Sequence, residues 1–572
     1  MTHAWLEASC VLAIAFLAAR AVAPWLAQVL PAGREAQGHG DSRDLVPWLD
    51  RLLLRGAGVW PPRQMTAKEY AAALVALHVV GFVTLLVIQR LQGVLPWNPE
   101  RVPAVPWGIA INTAVSFVTN TNWQSYPGET TLSPLTQVCG LTVQNFVSAA
   151  VGLCALVVLV RGFVRSGAAT VGNMWQDLVR TTVLVLLPIS VAVATVLAWQ
   201  GAAQSLTVDR VAGGPVLTGP VASQTAICLV GTNGGGYFNA NLAHPLANPT
   251  PLANATCIAA VLVVAIAGCI AFGRWIGDHR QGRAILLANV LLFLPGLAVI
   301  LWAETIPNGT LPDAVGQGAA ADQDGGSLEG KELRIGGGGS ALLAAATTAT
   351  STGAVNSMHD SLSPLGGLVT LWLMQLGEVV FGGVGTGTGG MVVYAIVAVF
   401  VAGLMVGRSP EYLGKKIESR EMKLAMLILL VPPLTTLLGA AAACIVPGAA
   451  AAAPNPGPHG FSELLYAFTS AANNNGSAFG GLDATSPFWT LGLATAMACG
   501  RIVTVVCMVL LGGSLAAKRP VAASSGTLPT HGPLFILLLV GVVNLVGALS
   551  FVPALALGPI AEALQPLPGA IP

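Results

Sequence analysis

Four short polar runs interrupt an otherwise apolar chain of 572 residues: Thr-Asn-Thr-Asn-Trp-Gln at 119–124, Gly-Thr-Asn-Gly-Gly-Gly at 231–236, Thr-Ser-Thr-Gly-Ala-Val at 350–355 and Asn-Asn-Asn-Gly-Ser-Ala at 473–478. Each follows an apolar, helix-like stretch too short to cross a bilayer, at 108–118, 221–230, 341–349 and 463–472. Residues of these types suit cation coordination. Glycine lets the backbone adopt conformations closed to other residues, so that successive carbonyl oxygens turn inward and replace water around an ion. Threonine, serine and asparagine add or brace further oxygens. A short helix ending at such a run aims its carbonyl end, with about half a negative charge, at the same point.

The expected ligand positions are Thr119, Asn120, Thr121 and Asn122 in the first run, with Gln124 bracing it; Thr232, Asn233, Gly234 and Gly235 in the second; Ser351, Thr352, Gly353 and Ala354 in the third; and Asn474, Asn475, Gly476 and Ser477 in the fourth. The runs hold no Asp or Glu. Calcium and magnesium sites usually recruit carboxylates, so a monovalent cation is expected. The choice of potassium over sodium does not follow from spacing alone. Taken singly, Gly-Gly-Gly is an ordinary turn and Asn-Asn-Asn-Gly an ordinary surface loop. Aligned at the step from short helix to polar run, however, Asn122, Gly234, Gly353 and Gly476 fall in one column, separated by 112, 119 and 123 residues. Such a period marks an internal repeat. The second run also resembles a nucleotide loop, but it lacks a preceding strand and a following Lys-Ser/Thr.

The elements that must hold these runs are membrane helices. The chain is 54% hydrophobic and 9% charged, against about 25% charged in soluble domains, and its mean hydropathy is +0.72. A net charge of +1 gives no bulk argument for nucleic acid or an anionic surface. The nine cysteines are scattered and read as small packing residues. The first apolar run starts at Ala4 with no Lys or Arg before it and outlasts a signal h-region, so no cleaved leader is expected.

Apolar runs long enough to span lie at 4–30, 70–88, 141–160, 181–199, 255–272, 284–302, 424–446, 488–511 and 534–551. Two further apolar pieces, 365–381 and 391–407, flank the glycine-rich run 382–390. Basic residues cluster in every second loop, around Arg34 to Lys68, Arg161 to Arg180, Arg274 to Arg283, Arg408 to Lys423, and Lys518 with Arg519. Cytoplasmic loops are enriched in Lys and Arg, and the alternation holds only if 365–407 crosses once. Ten crossings with both termini outside are therefore expected. Non-helical backbone at membrane depth must be buried by protein or water, which places Gly382, Gly383 and Gly385 beside a cavity, as a gate or as a simple kink.

The expected fold is all-α and membrane-integral, with about ten transmembrane helices. Four parallel span–pore helix–filter–span repeats, at 66–165, 178–273, 284–407 and 424–512, surround one pseudo-fourfold pore. An extra span and basic loop at 1–65 and an extra span at 533–572 flank them. Arg501 lies inside the ninth crossing, where an arginine costs at least about 2.5 kcal/mol. It is expected to face the pore below the filter and oppose straight passage, with a structural ion pair as the alternative. Glu378, beside the glycine run, either pairs with a cation or is an interfacial carboxylate. His78 reads as a packed neutral histidine. His244, His359 and His459 flank the runs without metal-ligand spacing and read as loop-ordering residues.

Beyond the four runs, Met-His-Asp-Ser at 358–361, Gly-Glu-Val-Val-Phe-Gly-Gly-Val-Gly at 377–385, Pro-Glu-Tyr-Leu-Gly-Lys-Lys at 410–416, Asn-Pro-Gly-Pro-His-Gly-Phe-Ser-Glu at 455–463 and Ser-Ser-Gly-Thr-Leu-Pro-Thr-His-Gly-Pro-Leu-Phe at 524–535 together resemble the potassium-binding A subunit family of the bacterial Kdp P-type ATPase over nearly the whole chain. The resemblance implies a fold related to potassium channels and to the Trk, Ktr and HKT transporters. It implies K+ as the transported ion, with no organic cofactor, taken up from the extracytoplasmic side across the bacterial inner membrane. The implied partners within the Kdp complex are a P-type ATPase subunit, a single-span subunit and a small accessory peptide. The chain has no Asp-Lys-Thr-Gly phosphorylation motif and no Gly-x-x-x-x-Gly-Lys-Ser/Thr loop, so ATP is expected to be handled by a partner. The alternative is a self-sufficient K+ channel or ion-coupled transporter of the Trk or Ktr type. An intramembrane enzyme would need a nucleophile with a base, or a metal site, in the spans, and neither is evident.

Overall fold

Helix starts are set by side chains that satisfy the first free N–H groups. Thr66 and Glu69 form a reciprocal capping box at the head of Ala67–Leu91. Asn173, Thr250 and Asp278 cap Met174–Arg180, Pro251–Ile276 and His279–Thr305 through their side-chain oxygens. Left-handed Gly277 and Gly407 end Pro251–Ile276 and Thr386–Val406, as glycine does where a helix must stop sharply. The computed structural model describes residues 2–32, 47–206, 209–211, 214–216, 218–307, 317–318, 325–377, 379–407, 409–522 and 528–565.

Ten helices among the described residues are long and apolar enough to cross a membrane: His3–Val29, Ala67–Leu91, Thr136–Val164, Met174–Trp199, Pro251–Ile276, His279–Thr305, Thr386–Val406, Ser419–Ile445, Pro487–Ala517 and Pro533–Leu557. The chain is a multi-pass membrane protein. The third begins earlier than its apolar run suggests because a π-helical turn, Thr136–Thr142, leads into it, and the fourth because the helix Met174–Arg180, capped by Asn173, runs on into the π-helical turn Thr181–Leu186.

Burial divides the crossings into an inner and an outer set. In the third, fifth, seventh and ninth, 89, 78, 61 and 56% of the apolar stretch is buried; in the second, fourth, sixth and eighth the shares are 22, 28, 50 and 33%. The inner member of each consecutive pair therefore meets protein on most sides, while the outer member keeps a lipid-exposed face. Inner helices touch through glycine. A Cβ on Gly162 would lie 2.5 Å from the Gly512 carbonyl oxygen, and one on Gly512 would lie 2.5 Å from that of Val158, so small residues let the third and ninth crossings approach backbone to backbone.

At one rim, Glu411–Tyr412 pairs antiparallel with Lys415–Lys416. Leu413 and Gly414 have φ of 50° and 74° in the turn, the backbone of a tight hairpin. Lys415 is buried and donates to the carbonyls of Arg165 and Lys518, both at 2.6 Å, tying the hairpin to the ends of the third and ninth crossings.

The interruption in the 365–407 region differs from the expected one. Helix Pro364–Gln375 stops before the glycine run, and Thr386–Val406 already includes its second half. Among the described residues the break therefore covers 376–377 and 379–385 rather than 382–390. Positive φ at Gly377 (84°), Phe381 (63°), Gly382 (65°) and Gly385 (80°) turns the chain there. Gly387 and Gly390 lie within that second helix and sit where a side chain would collide, Gly387 with the Phe381 carbonyl and Gly390 with Val379. Glu378 lies outside the described residues.

Candidate cation site

The four short helices are Trp107–Val118, Val221–Val230, Gly336–Ala349 and Gly457–Ala472. The last two start several residues before the apolar stretches at 341–349 and 463–472. Each polar run folds back on its helix through an equivalent bond: the N–H groups of Thr121, Asn233, Thr352 and Asn475 donate to the carbonyls of Ser116, Cys228, Thr347 and Ser470 at 3.0, 2.8, 3.1 and 2.8 Å. These bonds hold the runs against the carbonyl ends of the helices, where the dipole favours a cation.

Backbone conformation repeats with the same register. Asn120 and Asn122, Thr232 and Gly234, Ser351 and Gly353, and Asn474 and Gly476 all have positive φ, while the residue between each pair does not. Alternation of this kind turns neighbouring carbonyls toward the same side of the strand. Asn122 stands where the other runs have glycine, and asparagine is among the few residues that tolerate the left-handed region.

The runs close into a ring. A Cβ on Gly234 would lie 1.6 Å from the Thr352 carbonyl oxygen, one on Gly353 2.1 Å from that of Asn475, and one on Gly476 1.8 Å from that of Thr121. At the remaining boundary Asn122 Nδ2 donates to the Gly234 carbonyl at 2.7 Å, Asn233 Nδ2 donates to Asn120 Oδ1 at 2.6 Å, and Gln124 Oε1 accepts from the Gly236 N–H at 2.9 Å. Asn120 Nδ2 reaches the Thr232 carbonyl at 3.0 Å, and Ser351 Oγ makes the matching bond to the Asn474 carbonyl at 3.0 Å. Asn474 Nδ2 completes the circuit on Thr121 Oγ1 at 2.9 Å. Gly235 packs on Asn122, and Ala354 and Ser477 are buried. All four runs thus share one centre. Among the described residues, no N–H or O–H bonds the carbonyls of Thr121, Asn233, Thr352 or Asn475. Four buried acceptors at equivalent positions are the donor set a dehydrated cation requires.

Below the ring, Arg501 is 4% exposed. Its Nη2 donates to the Ser148 carbonyl at 2.8 Å, and its Nη1 lies 3.5 Å from Thr386 Oγ1. It lines a cavity of about 60 Å3 with Ser351, Asn473, Asn474, Gly383 and Thr386. The break segment borders this space. The Val384 N–H donates to Thr232 Oγ1 at 2.9 Å, the Gly382 N–H to the Ala349 carbonyl at 3.1 Å, and a Cβ on Gly385 would lie 2.3 Å from Gly152. No local signal indicates that Ser148 and Gly152 of the third crossing meet Arg501 and the break.

His78 Nδ1 donates to the Leu74 carbonyl at 2.8 Å. His244 stacks on Phe238 with ring centroids 3.7 Å apart, and its Nδ1 accepts from the Leu246 N–H. Burial, reinforced by Lys331, pulls His359 down to about 4, so it is neutral at pH 7 when it bonds the Tyr466 hydroxyl at 2.8 Å.

Residues 9–564 match the family model described as potassium-transporting ATPase A subunit. A potassium-transporting ATPase potassium-binding subunit from Sorangium cellulosum is 55% identical, covering 90% of this chain and 92% of that protein. Proteins of the same name from Laribacter hongkongensis (94% and 96% covered) and Escherichia coli (90% and 93%) are each 52% identical. The fold is also similar to that of the potassium transporter TrkH from Vibrio parahaemolyticus, with a TM-score of 0.51, 13% identity, and 89% of this chain and 98% of that one covered.

Proposed function

This chain belongs to the potassium-transporting ATPase A subunit family, and from that premise we propose that it takes up K+ through the ring formed by its four polar runs and passes it on within an ATP-driven uptake complex. It is a non-catalytic, ion-binding subunit. The supporting observation is the set of four equivalent, undonated carbonyls, of Thr121, Asn233, Thr352 and Asn475, at the common centre of four helix C-termini. Oxygens in that arrangement replace hydration without carboxylates, which suits a monovalent ion.

In this reading the repeats are 66–165, 178–273, 284–407 and 424–512, with the segments 1–65 and 533–572 outside the ring. Both termini face the extracytoplasmic side of the inner membrane. Arg501 sits as a fixed positive charge beneath the ring and favours a sideways exit through the cavity bordered by Gly383 and Thr386 over straight passage. The partners are the ATP-hydrolysing P-type ATPase subunit, the single-span subunit and the small accessory peptide of the Kdp complex. The self-sufficient transporter reading is not favoured, because its support is a likeness of fold alone.

The test is a structure of the purified complex with K+ exchanged for Rb+ or Tl+. One anomalous peak is expected at the centre of the ring, bordered by the Thr121, Asn233, Thr352 and Asn475 carbonyls. Peaks only elsewhere would remove the assignment.

A further inference from the structure

Away from the ring, a second constellation draws on three distant parts of the chain. Asp360 lies in the helical turn His359–Ser361 that follows the third run; His459 and Glu463 stand one turn apart on the fourth short helix; Glu562 belongs to the terminal helix Pro559–Ala563. His459 Nε2 is 2.9 Å from Asp360 Oδ1 and 3.9 Å from Glu463 Oε1. One donor atom from each of these three residues lies within 4.8 Å of the others. Asn455 Nδ2 donates to Asp360 Oδ2 at 3.2 Å and to Glu463 Oε1 at 2.6 Å, steering both carboxylates toward the imidazole.

Two features point to a ligand. Glu463 is 1% exposed, and its Oε2 is buried with no hydrogen-bond partner, a costly condition for a carboxylate oxygen unless something bonds it. On the far side of the imidazole, His459 Nδ1 bonds Glu562 Oε1 at 2.8 Å. A metal-ligating histidine typically donates its other N–H to such a carboxylate, which fixes the tautomer and raises the basicity of the ligating nitrogen. The side chains of His459, Asp360 and Glu562 keep 23, 14 and 20% exposure, so an ion has a route in.

We infer that Asp360, His459 and Glu463 form a binding site for a divalent cation of the zinc class, with Glu562 orienting the imidazole and water completing the coordination. Imidazole with two carboxylates is a zinc-type donor set, whereas calcium and magnesium take oxygen alone. The two ligating carboxylates neutralise the ion. The site would pin the loop after the third run to the fourth short helix. From there a chain of bonds runs from His359 to the Tyr466 hydroxyl, to Ser477 Oγ at 2.9 Å, and on to Asn475 Oδ1 at 2.5 Å in the fourth run. Metal binding itself does not depend on the potassium reading; any effect on transport does.

The test uses the complete complex in detergent, stripped with EDTA, equilibrated with micromolar Zn2+, desalted and assayed for zinc by atomic emission. Wild type should retain one zinc per chain. His459→Gln and Glu463→Gln should retain none while eluting as wild type does on gel filtration, and Glu562→Gln should bind at least about tenfold more weakly. Should those variants fail to fold, Co2+ added to wild type should give the visible absorption bands of a low-coordinate nitrogen–oxygen site. Wild type without zinc and without those bands, as expected if a proton alone fills the site, overturns the inference. So does equal retention by folded His459→Gln and Glu463→Gln.

Discussion

A single methyl group added at Gly234 would collide with the neighbouring run. Gly234 has φ +72°, and its Cβ would stand 1.6 Å from the Thr352 oxygen; left-handed backbone alone costs a non-glycine residue about 1–2 kcal/mol. Gly234→Ala is therefore expected to raise the K+ concentration for half-maximal ATP hydrolysis by the complex at least about tenfold, equivalent to about 1.4 kcal/mol. Asn122→Gly keeps the backbone and loses the side-chain bonds to the Gly234 carbonyl and Asn145 Oδ1, so its shift in the same assay should be smaller; equal shifts would mean that ring geometry is not what matters. Arg501 donates a charge-assisted bond to the Ser148 carbonyl, and such bonds are worth about 1.5–3 kcal/mol. Arg501→Ala should lower K+ uptake by roughly tenfold. Unchanged rate, coupling and selectivity would remove its proposed role beneath the ring.

Helices pair here by close approach as much as by apolar area. Where the third and ninth crossings meet, Gly162 and Gly512 leave no room for a side chain. Gly162→Leu should force the inner helices apart, with a loss of the order of the 1–3 kcal/mol typical of overpacking, or more. Fluorescence-detected gel filtration after a heating series would register it as an earlier loss of the monodisperse peak. Gly541, in the tenth crossing, has nothing within 4 Å of its Cβ position, so Gly541→Leu should leave that profile unchanged. The crossings themselves were legible in the sequence because a bilayer demands long apolar helices whatever their neighbours. The glycine break was legible only in part, since a glycine run marks a weak point in a helix but not the residue at which the helix resumes, here Thr386.

Across the whole molecule, buried charge ties the repeats together. Arg161 and Asp177 form a two-pronged pair at 2.5 and 2.8 Å, and the Tyr70 hydroxyl donates to Asp177 at 3.0 Å, joining the second, third and fourth crossings. Removing one partner of a buried pair strands the other and costs about 3–5 kcal/mol. Asp177→Asn should therefore sharply reduce the yield of folded complex. Tyr70→Phe removes one hydrogen bond to a charged group, worth about 1.5–3 kcal/mol, and should cost less than stranding Arg161 does. Comparable losses from both would mean that the charge pair carries no special weight.

The sequence by itself determined the membrane class, the number of crossings and the four carboxylate-free runs in one period, because hydrophobic length, glycine placement and short helices are local properties. It also placed Asn122 in the glycine column. Only the tertiary structure decided that the runs close on one another, that Ser148 and Thr386 meet Arg501, and that Asp360, His459 and Glu562 assemble across separations of 99 and 103 residues. Contacts between repeats depend on helices packing at distances no local pattern encodes, so the chemistry at their junctions emerges only when the chain has closed around its axis.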